Sequence, residues 1–154
     1  MAVRLSQYLS ACCIPEYARF YIDQLQRPYR QADLAKIAKG QLALYHAVQA
    51  NTSKQLIYDT DLLTIKIWSE YAYGSCPEWI TTHLQQSTVV YFLCNIDIPW
   101  AADPQREHPH NRVELYHLYK EQLIQMDKTF VEISGEGEDR WKNVMKFAKK
   151  YSQI

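Results

Sequence analysis

Acidic side chains recur immediately after short apolar runs in this sequence. Ala11-Cys12-Cys13-Ile14 is followed by Pro15-Glu16-Tyr17-Ala18-Arg19, the run 55–58 by Asp59-Thr60-Asp61, and the run 88–93 by Asn95-Ile96-Asp97, while a further run, 129–133, ends on Ser134-Gly135. If these runs are parallel strands, their endings share one rim, and ligands of open α/β sheets bind beyond the carboxyl ends of the strands. Carboxylates placed there can hold a divalent cation through oxygen ligands or take the proton of an attacking hydroxyl. Each also has an ordinary structural explanation, because a carboxylate just after a strand is commonly a helix N-cap that accepts from the free amides of the first turn.

The segment 97–112 is long for a connection, and long loops are often lids. Its arginines, Arg106 and Arg112, have the planar donors that neutralise phosphate oxygens during transfer, although arginines in a charged loop are more often solvated. His108 and His110 stand two apart with no third ligand near them in sequence, which argues against a metal held by histidine. Twelve tyrosines and four tryptophans fit either a packed core or a wall on which a heteroaromatic ring stacks. The cysteines at 12, 13, 76 and 94 form no C-x-x-C pair and read as reduced, packed side chains.

Bringing those endings together requires alternating strands and helices, and the pattern supplies them. Leu5, Tyr8 and Leu9 keep helical spacing, 16–25 does so again until Pro28, and Leu34, Ile37, Ala38, Leu42, Tyr45 and Val48 line one face of a longer helix. Helices are predicted over 62–71, over 77–86 with Pro77 in the first turn, over 112–126, and after Ser134-Gly135-Glu136-Gly137, where Ser134 or Glu136 can cap. The run Thr88-Val89-Val90-Tyr91-Phe92-Leu93 has the continuous apolar character of a strand buried on both faces of a parallel sheet. The alternation predicts an α/β fold, a three-layer parallel sheet with helices on both faces. A chain of 154 residues suffices for a single domain, 1–154.

Seventeen basic residues balance seventeen acidic ones, so no long-range positive field collects nucleic acid or an anionic membrane surface. No apolar stretch approaches the roughly 20 residues a membrane span needs. A soluble, cytoplasmic protein with small-molecule ligands is the expectation.

Five short segments, in this order, resemble the ribosylnicotinamide kinase domain of the NadR family, a P-loop kinase that phosphorylates nicotinamide riboside with ATP. They are Pro15-Glu16-Tyr17-Ala18-Arg19; Ile37-Ala38-Lys39-Gly40-Gln41; Asp59-Thr60-Asp61 with Trp68-Ser69-Glu70 and Tyr73-Gly74; Asp97-Ile98-Pro99-Trp100 through Arg106-Glu107-His108-Pro109; and Ile133-Ser134-Gly135. The resemblance implies a fold of P-loop nucleoside-kinase type in the service of NAD biosynthesis. It implies that Glu16, Asp59 and Asp61 are catalytic, handling the acceptor's ribose hydroxyl, with Asp59 and Asp61 on a magnesium ion. Arg19, Tyr45, His46 and Trp68 would contact the acceptor. Arg106 and Arg112 would close as a lid on ATP, and Ser134 and Gly135 would lie beside the adenine.

The chain departs from that family in two ways. The two aromatic positions that sandwich the pyridine ring in the family fall here on Pro15 and His46, with Tyr45 adjacent, so another ribosyl compound is an alternative acceptor. No G-x-x-x-x-G-K-[ST] stretch occurs, and only four glycines are present in the whole sequence. Leu5 to Ser10 resembles the helix that follows such a loop, so the expectation is an amino-terminally truncated fold that lacks the family's first strand, which lies mid-sheet. The alternative functional reading is a non-catalytic remnant of a P-loop ATPase that binds a nucleotide or a partner protein.

Overall fold

The computed structural model describes residues 1–103 and 110–151. Its elements follow in the order α1 (Ala2–Leu9), β1 (Cys12–Ile14), α2 (Tyr17–Gln24), α3 (Gln31–Ala50), β2 (Leu56–Tyr58), α4 (Leu62–Tyr73), α5 (Glu78–Gln86), β3 (Tyr91–Cys94), α6 (Arg112–Gln125), β4 (Phe130–Ile133) and α7 (Gly137–Tyr151). They divide into two compact units, Met1–Gln86 and Ser87–Ile154.

In the first unit β1 and β2 pair in parallel, with Cys12 opposite Leu56 and Ile14 opposite Tyr58. The ladder runs one step past the strands, because the Asp59 amide donates to the Ile14 carbonyl at 2.9 Å. Ile14 is fully sealed, and Leu34, Ile37 and Ala38 bring the apolar stripe of α3 into the same core. Leu62, Leu63, Ile65 and Ile67 are buried on α4, and burial of each such aliphatic side chain contributes about 1.5–3 kcal/mol. Gly74 closes α4 at φ 68, the left-handed value a side chain resists, and its amide returns to the Glu70 carbonyl.

The α2–α3 connection depends on one buried charge. Asp33 is 1% exposed. Its carboxylate accepts two hydrogen bonds from the Arg27 guanidinium (2.8 and 3.0 Å), one from the Tyr21 hydroxyl (3.0 Å) and one from the Arg30 amide (2.8 Å). Asp33 stands three residues past Arg30, the N-cap of α3, so the last of these bonds satisfies a backbone donor that the helix itself leaves unpaired. A buried carboxylate survives only when charge and lone pairs are both met, and here they are. The Arg27 hydrogen bonds first, and the Arg30 amide second, hold the Asp33 carboxyl well below the usual carboxylate range.

In the second unit β3 and β4 pair in parallel, Tyr91 opposite Phe130 and Cys94 opposite Ile133. Ile133, Leu123, Trp141, Val144 and Ala148 form the core, the last three at the helical spacing that turns one stripe of α7 inward. Tyr91, Phe92 and Leu93 are half-buried and Cys94 is exposed, which corrects the sequence expectation of a strand buried on both faces. The physical reason is that, among the described residues, β3 has a hydrogen-bonded neighbour on one side only.

The α/β class and the parallel pairing hold, but in place of the expected three-layer parallel sheet the described residues form two two-stranded sheets, β1–β2 and β3–β4. Each strand is three or four residues long and has one hydrogen-bonded ladder among the described residues. No helix among the described residues is long and apolar enough to cross a membrane.

The Asp33 cluster makes a pH-dependent prediction. Its carboxyl titrates below the ordinary value of 3.8 in the fold, so its stabilisation is present above that pH and is lost as pH falls through the folded value. Asp33→Asn should lower Tm at neutral pH by about 5 °C, less than the loss of a fully buried ion pair because the Arg27 side chain is partly exposed. Thermal unfolding of both proteins from neutral pH to below pH 3 checks this, and the gap between them should close at the acid end.

Candidate functional site

The β1–β2 ladder fixes where two acid-bearing turns begin. Because Ile14 faces Tyr58, both chains leave the sheet at one level, so Glu16 and the Asp59–Asp61 turn emerge at the same carboxyl rim. Glu16 is the N-cap residue of α2, yet its side chain does not cap that helix. Arg19 Nε approaches Glu16 Oε2 at 3.7 Å, a loose and partly exposed ion pair. Asp59 is exposed. Thr60 follows at φ 68, a sharp left-handed turn, and Asp61 then caps α4, its Oδ1 accepting from the Leu63 amide at 3.0 Å. For Asp61, therefore, the capping role that sequence reasoning held open is the observed one. The Cys13 thiol pKa is pushed up by burial and, second, by the Asp59 charge, which places that charge within electrostatic reach of β1.

An aromatic cluster includes Tyr58, within electrostatic reach of Asp61. The Tyr45 ring lies 4.9 Å from the His46 ring and 5.6 Å from that of Tyr58, both tilted. Burial, and then the Tyr45 hydroxyl, raise the Tyr58 phenol well above its ordinary pKa. Tyr58, which sequence reasoning missed, ends β2 directly before Asp59; an aromatic in the last strand position, next to a candidate acid, was the available signal. Trp68 is placed elsewhere, stacked on Tyr29 at 6.3 Å between centroids. Its neighbours on α4 are structural: Lys66 Nζ bonds both Glu70 oxygens at 2.6 and 2.7 Å, and Ser69 is 1% exposed.

Among the described residues no three His, Cys, Asp or Glu side chains converge on a point that would hold a metal. A closed cage is not what magnesium asks for. It keeps several waters and takes one or two carboxylates plus substrate phosphates, a donor set that Asp59 and Asp61 match in chemistry.

At the β3–β4 rim of the second unit the carboxylate is already committed. Asp97 accepts from the Gly135 amide at 2.6 Å and forms an ion pair with Arg140, whose side chain is 7% exposed. Arg140 also donates to the Gly135 carbonyl at 2.7 Å and the Asn95 carbonyl at 3.0 Å. The Gly135 amide first, and the Arg140 charge after it, lower the Asp97 pKa. Ser134 takes part through its hydroxyl, which accepts from Asn95 Nδ2 at 3.1 Å, and through its carbonyl, which accepts from Asn143 Nδ2 at 2.9 Å. At the start of α7 the amides of Asp139 and Arg140 reach the Glu136 carbonyl.

Arg112 opens α6 and donates to the carbonyls of Ile96 (3.2 Å) and Ile98 (2.7 Å), with Trp100 5.9 Å away beneath its guanidinium. It thereby braces the start of the loop that sequence reasoning made a lid. Arg106 lies outside the described residues. Sequence reasoning missed Arg140 as well; the sign of it was a lone arginine on the apolar stripe of the last helix.

A family model described as an AAA domain matches residues 1–140. The chain belongs to the AAA domain family. No curated protein matches it. The matched span runs from α1 to the first turn of α7, so the AAA domain assignment takes in both carboxyl rims and ends on Arg140. It supports a P-loop type of domain and a nucleotide-directed activity.

Gly135 is the most constrained position of the second rim, at φ 99 with an added Cβ only 3.0 Å from the Arg140 amide nitrogen. Gly135→Ala should destabilise the fold by about 1–3 kcal/mol, the usual cost of forcing a side chain into such a conformation. Chemical denaturation measures this directly, with a lower midpoint and an unchanged slope as the expected outcome.

Proposed function

We propose that the protein is a phosphotransferase of nucleoside-kinase type that passes a phosphoryl group from ATP to a ribose hydroxyl, with nicotinamide riboside or a related ribosyl compound as acceptor. The observation that carries this reading is the parallel register of β1 and β2, which brings Glu16 and Asp59 to one rim, with Tyr58 of the Tyr45–Tyr58 pair as the last strand residue before Asp59. Membership of the AAA domain family supports the nucleotide-directed half of it.

In this reading Glu16 accepts the proton of the attacking hydroxyl, Asp59 and Asp61 hold magnesium, and Arg19 steadies the acceptor. Tyr45 and His46 face the acceptor's ring. Phosphoryl transfer draws mainly on positioning and charge neutralisation, so moving any of these groups costs rate. Magnesium supplies the charge that spans the donor phosphates.

A second reading rests on its own observation. Two of the groups expected to serve the nucleotide, Arg112 and Ser134, are already engaged in holding their own rim. A domain of this composition that binds a nucleotide or a partner protein without transferring phosphate is the alternative.

The two readings separate in one assay. With ATP, magnesium and nicotinamide riboside, the kinase reading expects a phosphorylated riboside, and Glu16→Gln and Asp59→Asn each to lower kcat by about 100-fold or more. Calorimetry with the riboside alone accompanies it. No transfer, together with riboside binding that neither substitution alters, would sink the kinase reading in favour of the second.

A further inference from the structure

The first amide of α2 needs an acceptor outside the helix, because a capping side chain would serve the second or third amide instead, and Glu16 serves neither. It finds one on α3. Gln41 Oε1 accepts from the Tyr17 amide at 2.8 Å, and Gln41 Nε2 donates to the Pro15 carbonyl at 3.2 Å. The two bonded groups belong to the residues immediately before and after Glu16. One side-chain amide therefore holds the backbone on both flanks of the candidate base.

The surroundings make this hold a rigid one. Gln41 is 5% exposed, on the same helical face as Leu34, Ile37 and Ala38, which are at most 1% exposed. A buried primary amide is costly unless its donors and acceptor are used, so the side chain has little freedom to release either partner. The preceding residue contributes through what it lacks: a Cβ on Gly40 would lie 2.0 Å from Tyr17 Cε1, so the Tyr17 ring rests directly on the α3 backbone. Ring and amide together dock the first turn of α2 onto α3.

We propose that Gln41 is a positioning residue for Glu16, fixing the peptide on each side of the residue from which that carboxylate projects. The inference rests on the phosphotransferase reading for its kinetic consequence and on hydrogen-bond geometry alone for the clamp itself. Glu16 itself stands beside Arg19 at the β1–β2 rim.

Three measurements on Gln41→Leu and Gln41→Met test it. In the transfer assay, normalised to folded protein, kcat should fall about 10- to 100-fold while KM for ATP stays put, since an ångström of misplacement at a reacting group costs on that order. In a Glu16→Gln background the same substitutions should cost no further rate, because a residue that acts only through Glu16 has nothing left to position. Exchange of the Tyr17 amide, read by NMR, should quicken at least about tenfold in either variant through loss of its acceptor.

An unchanged rate per folded molecule, or equal losses with and without the Glu16 carboxylate, overturns the positioning role and leaves the kinase reading intact. Absence of transfer in the unaltered protein overturns the kinase reading instead, and the clamp is then judged on exchange alone. Unaltered Tyr17 exchange overturns the clamp.

Discussion

The bond from the Asp59 amide to the Ile14 carbonyl, 2.9 Å long, is the constraint on which the rest of the first rim depends. It extends the parallel ladder one residue beyond β2 and so sets two turns at a common height. A parallel pair has evenly spaced bonds and needs a long crossover, here the whole of α2 and α3. Any slip in register would carry Asp59 away from the level of Glu16 and turn its side chain to the other face. The site thus depends on the fully sealed Ile14 side chain, whose burial gives that register its energetic reason.

Much of this was legible in advance because it rests on local pattern. The runs 11–14, 55–58 and 129–133 announced strands that form as Cys12–Ile14, Leu56–Tyr58 and Phe130–Ile133, since apolar β-formers between breakers leave little choice. Pro28 and Pro77 marked helix limits in the same way. The run 88–93 was harder. Its apolarity correctly announced a strand, but how deeply a strand is buried depends on its neighbours, and among the described residues β3 pairs with β4 alone. Composition records what a side chain tolerates, not how many partners it finds.

The polar interior was the illegible part, for a related reason. Gln41 and Arg140 sit among apolar residues at helical spacing, and sequence alone reads such a residue as a blemish in a stripe. In the fold each bridges backbone groups from segments far away in the chain: Gln41 reaches Pro15, and Arg140 reaches Asn95. Pairings across dozens of residues carry no periodicity. Asp33 was half legible, because a carboxylate in the first turn of a helix is common, whereas its double bond from Arg27 depends on how the 25–30 turn folds back.

The two rims solve the problem of a carboxylate at a strand end in opposite ways. At the β3–β4 rim Asp97 gives its oxygens to a backbone amide and a buried guanidinium, so it serves as an internal tie whose loss would leave Arg140 with a buried charge unmatched. At the β1–β2 rim the corresponding backbone needs are met by others. Gln41 satisfies the first amide of α2, Asp61 satisfies the first turn of α4, and Asp59 stays exposed at the head of the turn between them. Asp61 gives Oδ1 to a backbone amide, whereas Asp97 gives both of its oxygens to the loops it ties. Asp59 stands exposed at the first rim, whereas the charge of Asp97 at the second is met by a buried guanidinium.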